Sequence, residues 1–571
     1  MSIVVCGLDD VALRVVEQLH AAGEKVVVVD DEFDPRLGRV LEALGVPLLE
    51  GSARRRQVLT DAGLDTAEAV VCADGDDLVN LEVALLVHEQ WPHVRLAVAL
   101  TNAAVGRALV TVIPNATVLD VPSLAAPSFV EACVRATTHA VDLDGTRFEL
   151  QHRTATFDGT IRAEFGDLAP VAVVDAAGDV VVCPGRDHRV HVGDVVSLIG
   201  PEETAAAVIR QESMTVQRSR VAAAWRRPFG WPRLLWDGAD RPLRLALLSI
   251  VVVELVSVVV LMTAYRESGR GMGGIDAVYF TTETITGVGF GDFSFADQHA
   301  WLRLWAIGLM LIGAATVTLV YAFLTNVLVS RRIAESQGRR TVTGMADHVV
   351  VVGLGAVGST VVAGLRDAGR EVVVLDRDEG NRFLGRIREW RVPVVVGDST
   401  LEQGLRATNV QQARAVAVVT SNDLVNIETG LAVRAIAPGV PVVLRLFDRQ
   451  LAATVSKAFD FSLTRSTAAL AAPWFVGAAL GLRVLNTFYV GQQPFLVARL
   501  DIAATGALVG HTMVDLGARI RVVAIRRSGH ADLELTPRRE TGFAAGDEAF
   551  VVGPYEELIA LLRRNRTAAP V

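Results

Sequence analysis

The chain has 571 residues, more than a single hydrophobic core organises, so several domains are expected. Hydrophobic residues make up 51% and the mean hydropathy is +0.38, which points to membrane content added to valine-rich sheets. A formal net charge of −9 gives no support to nucleic-acid binding, and Cys6, Cys72, Cys133 and Cys183 lack metal-ligand spacing, so reduced, buried thiols are expected.

The chain opens on a strand-like "SIVVCGL", with no signal peptide expected. Through residues 1–130, short valine-rich runs alternate with helical patterns, the signature of a parallel sheet flanked by helices. A smaller strand-rich segment follows at 131–212, then a connector at 213–242. Residues 243–329 carry two apolar runs, Leu243–Ala264 and Trp305–Val329, each meeting the ~20-residue length of a spanning helix. A buried soluble hairpin is the alternative. Arg226, Arg227, Arg233, Arg241 and Arg244 precede the first run, and Arg331, Arg332, Arg339 and Arg340 follow the second. By the positive-inside tendency both termini are cytoplasmic, with Trp225, Trp231 and Trp236 at the inner interface of the cell membrane. Glu254, inside the first run, must face protein or water, or be protonated. A connector at 330–347 leads to a second sheet pattern at 348–477 and a second small domain at 478–571.

These last segments repeat the first. At an offset of 346 residues, Ile3–Phe129 aligns on Val349–Phe475 without a gap. "DDLVNLE" (Asp76–Glu82) falls on "NDLVNIE" (Asn422–Glu428), and "AAPSF" (Ala125–Phe129) on "AAPWF" (Ala471–Phe475). Two copies of one domain flank the apolar pair.

The second copy opens with "VVVVGLGAVGSTVV", a GxGxxG made by Gly353, Gly355 and Gly358 with Leu354, Ala356 and Val357 between them. The first glycine permits the tight turn, the second lets phosphate approach the backbone, and the third lets the helix pack close. Asp376, at the end of the next strand, is placed to accept ribose hydroxyls and to repel a 2′-phosphate, favouring NAD(H) or ADP/ATP over NADP. Arg377, Gly397, Asp398, Thr420, Ser421 and Asn422 stand at later strand ends, and Arg445 is a candidate phosphate or inter-subunit contact. A sheet retained only as scaffold is the alternative. In the first copy Asp9 replaces Gly355, Ala12 replaces Gly358 and Ala99 replaces Arg445. A carboxylate there repels a pyrophosphate. With Asp10 and Asp30 nearby, that site binds a divalent cation or nothing.

Between the apolar runs lies "YFTTETITGVGFGD", Tyr279 to Asp292. Non-helical backbone at membrane depth is tolerated only inside protein or along a watery path. The stretch resembles the pore helix and selectivity filter of potassium channels, and the flanking domains resemble RCK (TrkA-N plus TrkA-C) regulatory domains. The resemblance spans nearly the whole chain and implies a two-transmembrane channel with a Rossmann-like α/β RCK lobe and a small α+β TrkA-C-like domain on each side of the pore module. It further implies a filter of Thr286, Gly287, Val288, Gly289, Phe290, Gly291 and Asp292 whose carbonyls, contributed by a homotetramer, replace the hydration shell of K⁺. By the same resemblance Glu283 and Asp292 pair behind the filter and share a proton or a water. Gly313 is either a gating hinge or a helix-packing contact. Gly287 stands where the family has threonine, so strict potassium selectivity is in question, and Phe290 in place of tyrosine removes a hydroxyl brace. The leading expectation is a nucleotide-gated potassium channel rather than an enzyme. The alternatives are a weakly selective cation channel and a membrane-anchored NAD-binding regulatory protein or oxidoreductase.

Overall fold

The computed structural model describes residues 2–134, 138–202, 241–267, 270–336, 342, 344–447, 449–461, 463–491, 493–516, 519–535, 537–538 and 540–566. The arginines and tryptophans expected at 225–236, and Arg339 and Arg340, lie outside the described residues. The chain divides into two compact units: Met1–Ser213 with Thr341–Val571, and Met214–Arg340.

In the first unit, β1 (Ser2–Cys6), β2 (Lys25–Asp30), β3 (Leu48–Glu50), β4 (Ala69–Cys72), β5 (Arg95–Ala99) and β6 (Ala116–Leu119) form a parallel sheet in the order β3-β2-β1-β4-β5-β6. Ile3, Val4 and Val5 are fully buried, because helices cover both faces and leave no polar side for the strand to alternate toward. Next come β7 (Thr138–Leu143), β8 (Thr146–Thr154), the short β9 (Gly159–Thr160), β10 (Ala169–Val174), β11 (Val180–Val182), β12 (Arg189–Val190) and β13 (Val195–Pro201). Five of these make an antiparallel sheet ordered β11-β10-β13-β8-β7.

The other unit is a helix Arg241–Ala264, a two-stranded pair β14 (Arg266–Glu267) and β15 (Arg270–Gly271), a helix Gly274–Thr286 and a long helix Ala300–Ser336. The last runs to Ser336 rather than ending at Val329, so part of the expected connector is helical. Phe293 and Phe295, from the loop that joins the second and third helices, cluster with Tyr265 and Phe280. Elsewhere the outer helices present bare apolar surface, with Leu255, Val259, Leu304 and Leu311 each more than 60% exposed. Such an expanse on a folded unit marks a surface that something apolar covers. Among the described residues, Ala300–Leu319 is the one helical stretch long and apolar enough to cross a membrane.

After this unit the chain returns to the first with β16 (Val349–Val352), β17 (Val372–Asp376), β18 (Val394–Val396), β19 (Ala415–Val418), β20 (Val442–Arg445) and β21 (Leu463–Arg465). Their order, β18-β17-β16-β19-β20-β21, reproduces the first sheet strand for strand. The small domain repeats too. The order of β22 (Arg483–Val490), β23 (Gln493–Asp501), β24 (Arg521–Arg526), β25 (Leu533–Leu535) and β26 (Glu548–Pro554) is β22-β23-β26-β24-β25, which matches β7-β8-β13-β10-β11.

The two copies are interlocked rather than merely adjacent. Helix Val121–Val134, which leaves the first sheet, packs on Ala356–Asp367 of the second copy, while Thr467–Leu480 of the second packs on Asp10–Ala21 of the first. The repeated A-A-P-x-F sequence explains the fit: its alanines let backbones approach, and its phenylalanine anchors the exchange. Phe129 is fully buried in the second lobe's core and Phe475 in the first's, each worth roughly 2 kcal/mol of apolar burial. The small sheets also share a core, joining Phe148 and Leu150 to Phe488, Phe495 and Phe550. At its edge Asp144 accepts hydrogen bonds from Arg499 at 2.9 Å and Arg526 at 3.2 Å. All four cysteines are free and buried, and burial pushes the Cys6 and Cys133 thiols up to about 12.

Candidate functional site

In the helical unit the filter stretch begins where helix Gly274–Thr286 stops. Gly287 ends that helix in the left-handed conformation, with φ of 78°. Its N–H bonds to the Thr284 carbonyl, and the Val288 N–H to the Glu283 carbonyl at 2.9 Å. Gly289 and Gly291 also have positive φ, 58° and 82°, with Val288, Phe290 and Asp292 between and after them. Only glycine adopts such angles without strain, so alternating glycines are what this backbone path requires. Val288 and Phe290 are exposed on the single chain.

Polar contacts behind this path involve Tyr279. Asp292 takes its hydrogen bond from the Tyr279 hydroxyl at 3.1 Å, and Tyr279 also interacts with Glu283. The Tyr279 phenol thus reaches both of the carboxylates expected to share a proton or a water. Tyr279 stacks on Phe290, with ring planes 8° apart, and brings from the helix a hydroxyl that Phe290 lacks. Glu283 is buried with one carboxylate oxygen lacking a hydrogen-bond partner. Glu254, whose partner the sequence left open, accepts from the Thr282 hydroxyl at 2.9 Å. Gly313 sits within the unbroken Ala300–Ser336 helix, where a β-carbon would lie 2.8 Å from Ile285 Cα. It is a packing contact in this conformation.

The nucleotide residues of the second copy converge on one cavity of about 720 Å³. Every member of the set named from the sequence lines it except Gly358, which lies beneath. A β-carbon at Gly358 would stand 2.0 Å from the Gly353 carbonyl oxygen, and one at Gly353, where φ is 92°, 2.9 Å from the Thr420 side chain. Both positions are closed to any side chain. Gly355 is the opposite: a β-carbon there meets nothing within 4 Å, so the N-terminus of helix Ala356–Asp367 faces open space. Asp376 accepts the Leu354 N–H at 2.6 Å and the Asp378 N–H at 2.9 Å, which fixes its carboxylate at the rim. Arg445 lies over the Phe447 ring at 4.3 Å, with its Nε directed at the Thr467 hydroxyl 3.3 Å away. Burial lowers its pKa to about 10, leaving it a cation at neutral pH.

Sequence reasoning missed Asn426, which ties the strand ends together. Its amide oxygen accepts from Thr420 and its amide nitrogen donates to the Arg445 carbonyl at 2.9 Å. Asn80 does the same between Asp74 and Ala99 in the first copy. The repeated "DLVN" carried that signal. Phe447 and Thr467 had none, because they reach the cleft only through the fold.

In the first copy Asp9 caps helix Asp10–Ala21, accepting the Ala12 N–H at 2.8 Å. The seat that Gly355 leaves open is filled here by the chain's own anion. Asp30 accepts the Glu32 N–H at 2.9 Å. The Asp9 and Asp30 carboxylates each accept a backbone N–H, and among the described residues no group of three or more His, Cys, Asp or Glu side chains gathers to hold a metal.

The TrkA-N domain model matches residues 3–112 and 349–460, the ion-channel model residues 248–330, and the TrkA-C domain model residues 497–565. Potassium channel protein 1 of Methanocaldococcus jannaschii is 22% identical over 340 residues, covering 56% of this chain and 96% of that protein. Probable potassium channel protein 2 of the same organism is 20% identical over 213 residues, covering 35% and 60%. An uncharacterized protein of Methanothermus fervidus is 26% identical over 193 residues, and the chain covers 30% of its length. Among solved structures, the GsuK RCK domain aligns over 99% of this chain and 94% of that one at 16% identity, with a TM-score of 0.51. The GsuK channel bound to NAD aligns over 99% and 78%, also at 16% identity and 0.51. At that identity the likeness establishes the fold. With TrkA-N lobes before and after an ion-channel module, and potassium channels among its relatives, the chain belongs to the potassium-channel family that carries RCK regulatory domains.

Proposed function

We propose that the chain is a nucleotide-gated potassium channel of the cell membrane, conducting through the Thr286–Asp292 stretch contributed by four subunits. The observation that carries this reading is the run of left-handed glycines at 287, 289 and 291. Alternating handedness turns successive carbonyls toward one side, and a ring of such carbonyls substitutes for the water around a dehydrated K⁺. The bare apolar faces of the outer helices suit a bilayer, and the arginine flanks put both termini in the cytoplasm. The open Gly355 seat, the fixed Asp376 carboxylate and the buried Arg445 suit NAD(H) or an adenine nucleotide, and a channel of the same fold binds NAD. Gating follows where the ligand prefers one of two pore states. A weakly selective cation pore is the second reading, favoured by Gly287, which offers no hydroxyl to the innermost ion site. Potassium and sodium flux from liposomes, with and without NAD or ADP, tests both. Purified protein that passes no cation under any ligand condition defeats the channel reading, and flux indifferent to nucleotide defeats the gating.

A further inference from the structure

The cavity has two walls, and only one belongs to the second copy. Opposite the glycine turn it is lined by Asp9, Asp10, Asp74 and Asp77 of the first copy. This wall is anionic without a lysine or arginine of its own. Its carboxylates are held in place: Asp9 by the Ala12 N–H, Asp74 by the Asp76 N–H at 2.8 Å, and Asp77 by the Thr101 hydroxyl at 2.6 Å. Arg445 stands between the walls, within the electrostatic reach of Asp9 and Asp10. On the second wall the helix N-terminus at Gly355 and the Arg445 guanidinium attract phosphate. Across the gap every fixed charge repels it.

A volume of about 720 Å³ suits a ligand of nucleotide or dinucleotide size, so the bound molecule extends from one wall toward the other. Two phosphates are compensated by the helix N-terminus and Arg445. A third adds negative charge facing the first copy's carboxylates, and Arg377, the other cation of the lining, is already close to the Asp398 carboxylate. We propose that the two copies form a single composite chamber in which the first copy is a charge wall, admitting nucleoside diphosphates and diphosphate-bridged dinucleotides and rejecting nucleoside triphosphates. The degenerate copy thereby acquires a role: it sets the specificity of its neighbour. This rests on the nucleotide reading above.

Calorimetry on the full-length protein in detergent with EDTA present compares ADP, NAD and ATP. ADP is expected to bind at least tenfold more tightly than ATP, about 1.4 kcal/mol. The paired substitution Asp9→Asn and Asp10→Asn keeps the helix cap and should shrink that ratio below about threefold by raising ATP affinity. Wild-type protein supplies a check that needs no variant: raising ionic strength should narrow the same ratio, because screening weakens exposed repulsion. Equal affinities for ADP and ATP in wild type, or a ratio unmoved by both salt and the folded variant, overturns the wall while leaving the nucleotide site standing. Failure of all three ligands to bind overturns the site itself, and the wall with it.

Discussion

Gly313 and Ile285 meet backbone to side-chain-free face: a β-carbon on the glycine would lie 2.8 Å from Ile285 Cα and 2.9 Å from its carbonyl oxygen. Ile285 is two residues before Gly287, so the long helix is braced against the segment that leads into the filter. Gly313→Ala should push that segment aside at a cost of about 1–3 kcal/mol of overpacking. A lower potassium-to-sodium permeability ratio in bi-ionic bilayer recordings is expected, together with a lower melting temperature. Gly308 lies in the same helix with open space around it, so Gly308→Ala should change neither. If Gly313→Ala altered open probability alone, with permeability ratio and melting unchanged, the hinge role would stand and the packing role would fall.

Two glycines of the second copy separate fold from ligand. Gly358 has no room for a methyl group, since its β-carbon would collide with the Gly353 carbonyl at 2.0 Å. Gly355 has room but faces the phosphate seat. Gly358→Ala should therefore destabilise the lobe by several kcal/mol, of the order of a severe core defect. Gly355→Asp, which copies the first lobe's Asp9, should melt within a few degrees of wild type yet lose nucleotide binding and any nucleotide effect on current. Thermal unfolding alongside calorimetry reads both. Unchanged nucleotide affinity in Gly355→Asp would leave the second sheet as scaffold.

Much of this architecture is legible in the sequence, and the failures share a cause. Val349–Val352 and Ile3–Val5 are apolar without alternation, which announces a sheet covered on both faces, and the GxGxxG fixes where the helix begins. The repeat places every strand of one copy on the other. What could not be read is which copy each element serves. Phe129 and Phe475 are plainly core residues, but an apolar face does not say whose core it enters, so the helix exchange and the shared cavity were invisible. Tyr279 was hidden similarly: four residues before Glu283 on one helix, it had no local signal that its hydroxyl would reach Asp292 across the turn. Local pattern specifies elements, and partners follow only from three-dimensional packing.

Asp9 gives a pH test. Burial, then the neighbouring Asp10 and Asp74 charges, raise its pKa to about 6 from 3.8, outweighing the lowering effect of the Ala12 N–H. A carboxyl whose folded pKa lies above its unfolded value costs stability when ionised: the full cost holds above pH 6, fades between pH 6 and 4, and vanishes below. Asparagine caps helices as well as aspartate does. Asp9→Asn should thus be about 3 kcal/mol more stable than wild type at pH 8, with the gap closing near pH 4. Melting of the full-length protein at the two pH values decides it, and a gap that widened toward low pH would reverse the sign.

The helix exchange predicts how half of the chain behaves alone. In residues 347–571, helix Ala356–Asp367 loses the partner that covers Val357, Val361 and Leu365, namely helix Val121–Val134 with its Phe129. At the same time helix Thr467–Leu480, with Phe475, loses its seat on the first copy. Each deficit fits the other, because the exchanged helices carry the same A-A-P-x-F sequence and occupy equivalent positions. Two molecules of this half should pair by swapping Thr467–Leu480, giving a dimer by light scattering at micromolar concentration. Phe475→Ala, costing about 3–5 kcal/mol at each of two sites, should dissociate it or render it insoluble. A soluble, stable monomer of the wild-type half would show that the exchange contributes little, and that each lobe completes its own core.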